Sequence, residues 1–156
     1  MDSDRLSRWL TLTANLGVIL GIFFLAVEIQ QNTDMMEAQT RDSVTSKQIE
    51  FYLTLSQNEF AADTLRRGRL GELDADSTEG TAFTFMTISL FRTWENEWYQ
   101  YDKGLFEAQE FIARSNNWAE LLNAYPGYKS LWDDSPTNYS EGFVKFVNDK
   151  VNQRND

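Results

Sequence analysis

The chain has 156 residues, 24 Asp and Glu against 14 Lys and Arg, and neither His nor Cys. Without Cys there is no disulfide, thiolate nucleophile or thiolate metal site, and without His the commonest neutral-pH base and the imidazole metal sites are gone, so no enzyme activity, cofactor or metal is expected. A net charge of −10 repels phosphate backbones, so no nucleic-acid partner is expected.

The first element is apolar. Residues 9–27 carry no charge, and a helix of that length spans roughly 28 Å, close to the hydrocarbon thickness of a bilayer. A transmembrane helix over 9–29 follows as the expectation, with 1–8 as a cytoplasmic N-terminus and a lipid bilayer as partner. A cleaved signal peptide competes with this reading, but Leu25-Ala26-Val27-Glu28 lacks a small-x-small cleavage pattern and the run outlasts an ordinary signal core. A buried core helix competes too, although it would rarely stay uncharged for so long in so small a domain. Arg5 and Arg8 precede the run, whereas the first cations after it are Arg41 and Lys47. That bias places the N-terminus in the cytoplasm of a bacterial inner membrane and the remaining domain on the periplasmic side; Asp2 and Asp4 dilute it little. Trp9 suits an interfacial anchor, and Glu28 lies near enough to the end to reach the interface. Within the run, Gly17 and Gly21 form a Gly-x-x-x-Gly with Ala14 one turn earlier, a small-residue face for a second helix, and Asn15 adds a polar group able to bond across such an interface. Self-association, or association with another membrane protein, is the implied partnership.

The chain from 30–48 is polar, with Met35, Met36, Ala38 and Val44 too sparse for a continuous stripe, and reads as a helical stalk. A helical domain over 49–156 follows, so the fold class is all-α: one membrane helix, then a small aromatic-rich bundle. Its first helix, from Ile49, carries Phe51, Tyr52, Leu53, Leu55, Phe60 and Leu65 and is ended by Gly68 and Gly71. The segment 71–80 is a loop. Asp74, Asp76 and Thr78 begin like a calcium loop, but Glu79 stands where glycine is needed and Phe85 where a bidentate acid is needed. Arg66, Arg67 and Arg69 suit a helix C-terminus.

The core helix is expected over 81–101, with Phe83, Met86, Leu90, Phe91, Trp94, Trp98 and Tyr101 at three- and four-residue spacing. After Gly104 a helix over 105–124 carries Phe106, Phe111, Ile112, Trp118, Leu121 and Leu122 inward. Pro126 opens a short helix to Trp132. Ser140 caps the last one, 141–151, which buries Phe143, Phe146 and Val147. Arg92, Glu95 and Tyr99 share a helix face. They form a candidate site for a polar ligand, or else a packing network; Glu95 with Glu97, and Glu107 with Glu110, read as surface charge.

One resemblance is carried by the apolar run leading into Glu28-Ile29-Gln30-Gln31-Asn32-Thr33, by Arg92-Thr93-Trp94-Glu95-Asn96-Glu97-Trp98-Tyr99-Gln100-Tyr101 with Gly104-Leu105, and by Trp118, Pro126-Gly127, Trp132, Ser135-Pro136 and Phe143. The chain resembles, over nearly its whole length, a large bacterial family of uncharacterised single-pass membrane proteins whose most specific signature is Tyr-Gln-Tyr-x-x-Gly-Leu. The resemblance implies an N-terminal anchor and a helical domain, and no activity. Gln30 stands where the family often has a basic residue, and Trp98 where Tyr is usual. The functional expectation is a non-enzymatic, membrane-anchored interaction or assembly protein; the alternative is an extracytoplasmic ligand-binding or sensory module.

Overall fold

The structure is a computed structural model that describes residues 3–153; Asp2 and residues 154–156 of the expected domain lie outside it. All six α-helices among the described residues follow one another with short joints: α1 Ser3–Gln57, α2 Glu59–Arg69, α3 Thr78–Asp102, α4 Ala108–Ala124, α5 Pro126–Asp134 and α6 Glu141–Asn152, with a 3-10 turn at Pro136–Asn138. No strand occurs among them. The chain divides into two compact units, Met1–Gln39 and Thr40–Asp156.

In the first unit α1 is apolar and unburied: its most apolar eighteen-residue stretch has a mean hydropathy of 2.2, and none of that stretch is covered by protein. No Gly or Pro lies between Gly21 and Asn58, so nothing in the polar stretch interrupts the helix. Asn58 ends it. Its backbone turns extended (φ −129°, ψ 100°) and its side chain accepts the Ala61 N–H, capping α2. The expected single helix from Ile49 to Gly68 is therefore two helices, because a side-chain cap competes with the helical backbone at that point. The second unit also takes in residues 40–48 of the expected stalk. Val44 is 2% exposed, against Phe106 and Phe111.

Within the second unit α3 is the helix on which the others pack. An aromatic ladder climbs it: Phe83 stacks on Tyr128 of α5 at 5.8 Å, Phe91 meets Trp132 edge-on at 5.4 Å, and Trp94 lies against Trp118 of α4 and Phe143 of α6 at 5.7 and 5.5 Å. Each such ring buries apolar area worth about 1.5–3 kcal/mol, with the ring pairing adding about 0.5–1.5. Trp94 is wholly buried, and its indole N–H donates to the Ser115 hydroxyl at 3.4 Å. Of the apolar residues expected along the helices of this domain, Tyr52, Leu53 and Phe60 are each more than half exposed, Ile112 is 47% exposed and Tyr101 38% exposed, the last still stacked on Phe111 at 4.3 Å. Ile112 faces out because the buried row of α4 runs Phe111, Ser115, Ala119 and Leu122, and its neighbour in sequence cannot share that face.

Caps set the helix limits. Ser77 accepts the Gly80 N–H, so α3 begins at Thr78 instead of Thr81. Both Glu107 oxygens accept first-turn N–H groups, of Gln109 and Glu110, so α4 begins at Ala108. Ser140 occupies the cap position of α6, but its side chain makes no cap hydrogen bond. Gly71 and Gly104 close α2 and α3 with φ of +75° and +70°. In each, the glycine and the residue after it donate back into the last turn, as in Gly104 to Tyr101 and Leu105 to Gln100. Gly68 does not end α2, as expected from the sequence, but sits inside it where α5 crosses. A Cβ on Gly127 would meet the Gly68 carbonyl oxygen at 2.0 Å.

The two kinds of glycine give a graded prediction. Gly104→Ala meets no atom within 4 Å and suffers only the left-handed backbone cost, about 1–2 kcal/mol. Gly127→Ala carries no such backbone cost but must push the backbone of α2 away from α5, which a rigid carbonyl at 2.0 Å makes the larger penalty, so its urea midpoint should fall further below wild type than that of Gly104→Ala.

Candidate functional site

The polar chemistry of the second unit centres on Arg114. Glu97, read from sequence as surface charge, is 0% exposed, because it follows buried Phe91 and Trp94 at successive three-residue steps and so comes round to the same face of α3. It makes a close ion pair with Arg114 Nη2, whose side chain is 17% exposed. Arg114 Nη1 donates to Gln48 Oε1 of α1 at 2.9 Å. Three helices thus meet at one guanidinium. Burial opposes its charge, but the Glu97 hydrogen bond and charge outweigh that and raise its pKa above the ordinary arginine value. Two atoms of the pair, Glu97 Oε2 and Arg114 Nε, are buried without a hydrogen-bond partner among the described residues. Nearby, Arg41 of α1 pairs with Glu110 of α4 at 3.2 Å.

Around Arg114 the bundle is not closed. A cavity of about 550 Å³ is walled by Phe51 and Leu55 of α1, Leu65 and Arg69 of α2, and Trp118 and Tyr128 beyond Arg114 itself. A second space of about 510 Å³ shares Gln48, Phe51, Leu55, Leu90, Arg114 and Trp118 with it and continues past Met86 to Phe85, which is 68% exposed at the rim. Arg69 does not follow the other two arginines of its cluster. Arg66 and Arg67 reach Asp63 at 2.7 and 3.7 Å, whereas Arg69 has no carboxylate partner among the described residues and lies 4.6 Å from the Tyr125 ring centre. Its Nε is buried and unpaired. Tyr128 is 7% exposed, and burial pushes its phenol up to about 12 against the opposing pull of Arg69.

The face of Arg92, Glu95 and Tyr99 is brought only partly together. Arg92 Nη1 donates to Glu95 Oε2 at 2.6 Å, and the Arg92 guanidinium lies 4.8 Å from the Tyr139 ring centre. Glu95 Oε1 accepts the Ser140 N–H at 2.8 Å, which ties the residue before α6 to α3. Desolvation pushes the Glu95 carboxyl up, but the hydrogen bonds from Ser140 and Arg92 prevail and hold it below its ordinary value. Tyr99 stands apart, 51% exposed, under Lys103. Both oxygens of Glu95 are thus engaged in fastening the start of α6 to α3. In the first unit, Ala14, Gly17 and Gly21 are exposed, and a Cβ at either glycine would meet nothing within 4 Å. The Asp74–Asp76 loop spends its oxygens on itself: Asp74 Oδ1 accepts the Asp76 N–H, and the Asp74 carbonyl accepts from Ser77. No group of three His, Cys, Asp or Glu side chains converges as a metal site among the described residues.

No family model, curated protein or solved structure matches this chain.

The buried pair yields a double-mutant prediction. Arg114→Met strands Glu97 as a buried charge and should cost about 3–5 kcal/mol, whereas Glu97→Leu with Arg114→Met should recover most of that loss; urea titrations of the four proteins measure it. The Tyr128 phenol yields a second. Because its folded pKa lies above the unfolded value of about 10, its contribution is fully present below pH 10 and is lost as pH rises towards 12. Unfolding titrations across that window should show a steeper fall for wild type than for Tyr128→Phe.

Proposed function

We propose that this protein is a non-enzymatic, membrane-anchored interaction or assembly protein, with residues 9–29 crossing a bacterial inner membrane once. The observation that carries the reading is an apolar helical stretch of mean hydropathy 2.2 with no protein covering it. In water such a surface would cost about 25 cal/mol for every exposed Å². Hydrocarbon removes that cost. The hydroxyls within the run suit the same solvent, since Thr11 donates to the Ser7 carbonyl at 3.0 Å and Thr13 to the Trp9 carbonyl at 2.6 Å, leaving neither donor unsatisfied.

Assembly through the Ala14, Gly17 and Gly21 face follows from the open space at both glycines, which lets a second backbone approach closely. Asn15 has no hydrogen-bond partner among the described residues and gains one from a neighbouring helix. The occupant is a second copy or another membrane protein. The Arg5 and Arg8 side stays cytoplasmic, and the helical domain is periplasmic.

Membranes from cells making the full chain test the anchor. The protein should resist alkaline carbonate extraction and keep the intact mass of 18.1 kDa; loss of the N-terminal segment from that mass would show a cleaved signal peptide instead. Because the chain has no Cys, Thr137→Cys should react with an impermeant maleimide from the periplasmic side only. In lipid, wild type should form a discrete oligomer or heteromer, and Gly17→Ile with Gly21→Ile should shift it to monomer. A monomeric wild type without a retained partner overturns the assembly reading.

A further inference from the structure

The cavity beside Arg114 has a composition that specifies its guest. Its size falls within the roughly 300–1,000 Å³ of ordinary ligand sites, and such sites combine apolar walls with a few placed polar groups. Here the walls are Phe51, Leu55, Leu65, Leu90, Trp118 and Leu121, and the only charged side chains among those lining it are Arg69 and Arg114. Both are cations in a chain with ten more acidic than basic side chains. The two differ in how they are neutralised. Arg114 is matched by Glu97 beneath it. Arg69 has a ring face and no carboxylate among the described residues, so the cavity keeps one uncompensated positive charge between low-dielectric walls, where a field is focused instead of screened.

The polar groups at that end lack partners. Arg69 Nε is buried without a hydrogen bond, and the Tyr128 hydroxyl makes none among the described residues although its ring is packed on Phe83. A purely apolar guest, such as a leucine side chain from a partner protein, would fill the space and leave the half-buried Arg69 without a counter-charge and its buried Nε without an acceptor. A small inorganic anion would answer Arg69 and leave the apolar trench wet. A molecule with a single anionic head and an alkyl tail satisfies both ends at once. The trench has room for the tail, since it runs on from the cavity past Leu90 and Met86 to the exposed Phe85, with the exposed Lys47 and Glu50 among the residues bordering that stretch.

We propose that this cavity binds a single-chain anionic amphiphile, with a carboxylate or phosphate head at Arg69 and the Tyr128 hydroxyl and its alkyl chain along Phe51, Leu55, Leu90 and Trp118. Residues 48–55 of α1 form the cover, held over the tail by the Gln48–Arg114 hydrogen bond. The site is separate from the Gly17 and Gly21 face and stands or falls without it.

The test uses the full chain in nanodiscs of neutral phosphatidylcholine, photolabelled with a diazirine analogue of dodecanoate, with adducts mapped by peptide mass spectrometry. Adducts should fall on 48–55 and 113–121. Dodecanoate and dodecyl phosphate should compete, while dodecanol and dodecyltrimethylammonium should not. Arg69→Gln should weaken competition about tenfold, the loss of one charge-assisted hydrogen bond, with an unchanged circular-dichroism melt. Leu55→Trp fills the trench while keeping both arginines in the sequence and should abolish labelling; it carries the test if Arg69→Gln does not fold. Preference for the phosphate head assigns a phospholipid-derived amphiphile, and preference for the carboxylate a free fatty acid. Adducts confined to 9–29, equal competition by the cation or the alcohol, or full labelling of folded Leu55→Trp overturns the proposal.

Discussion

Arg114 is the side chain on which the second unit depends. It answers a carboxylate on α3 that has no contact with solvent, and it reaches across to the Gln48 amide of α1. A buried charge without its partner is far more costly than either side chain is valuable, so the pair acts as a constraint more than as a source of stability. It dictates that α3, α4 and residues 40–57 of α1 meet in one register. The contacts around it fall in line: Arg41 to Glu110, Val44 into Phe106 and Phe111, Gln48 to Arg114. These α1 residues are three and four apart, one face of one helix.

The aromatic ladder on α3 supplies what the ion pair does not. Rings at Phe83, Phe91 and Trp94 meet rings of α4, α5 and α6 at centroid distances of 5.4 to 5.8 Å, in stacked or edge-on geometries. The helices α5 and α6 are short, 9 and 12 residues, and helices of that length are marginal alone. Their order comes from this packing and from Arg92 and Glu95, which hold Tyr139 and Ser140 at the entrance to α6. That explains why a face with the look of a ligand site is occupied by the protein's own backbone.

Where the same constraints leave space, chemistry becomes available. The grip on α1 is tight at Val44 and Gln48, and past that point large side chains on both sides, Phe51 and Leu55 against Leu90 and Trp118, border a cavity instead of interlocking. The polar grip and the apolar gap lie side by side. An all-helical domain without His or Cys has little catalytic vocabulary, yet binding needs only shape, apolar surface and a charge in the right place.

The sequence by itself determined the helical class, the apolar N-terminal run, the aromatic row of α3 and the glycine closures at Gly71 and Gly104, because periodicity and backbone conformation are local properties. Local chemistry could also have revealed the Asn58 cap, but it was hidden inside a continuing apolar pattern. Tertiary structure alone decided the rest. The inner stripe of α1 mixes Arg41, Val44, Gln48, Phe51 and Leu55, so no apolar period announces it, and its polar members Arg41 and Gln48 face the domain only because Glu110 and Arg114 wait on another helix. Glu97 reads as surface charge until a guanidinium from 17 residues away is placed against it. Arg69 reads as one of a cluster at a helix end until Tyr128 of α5 and Phe51 and Leu55 of α1 border the same cavity. In each case the sequence names the charged group and the fold supplies its surroundings, and a charge is defined physically by what it is taken out of water to meet.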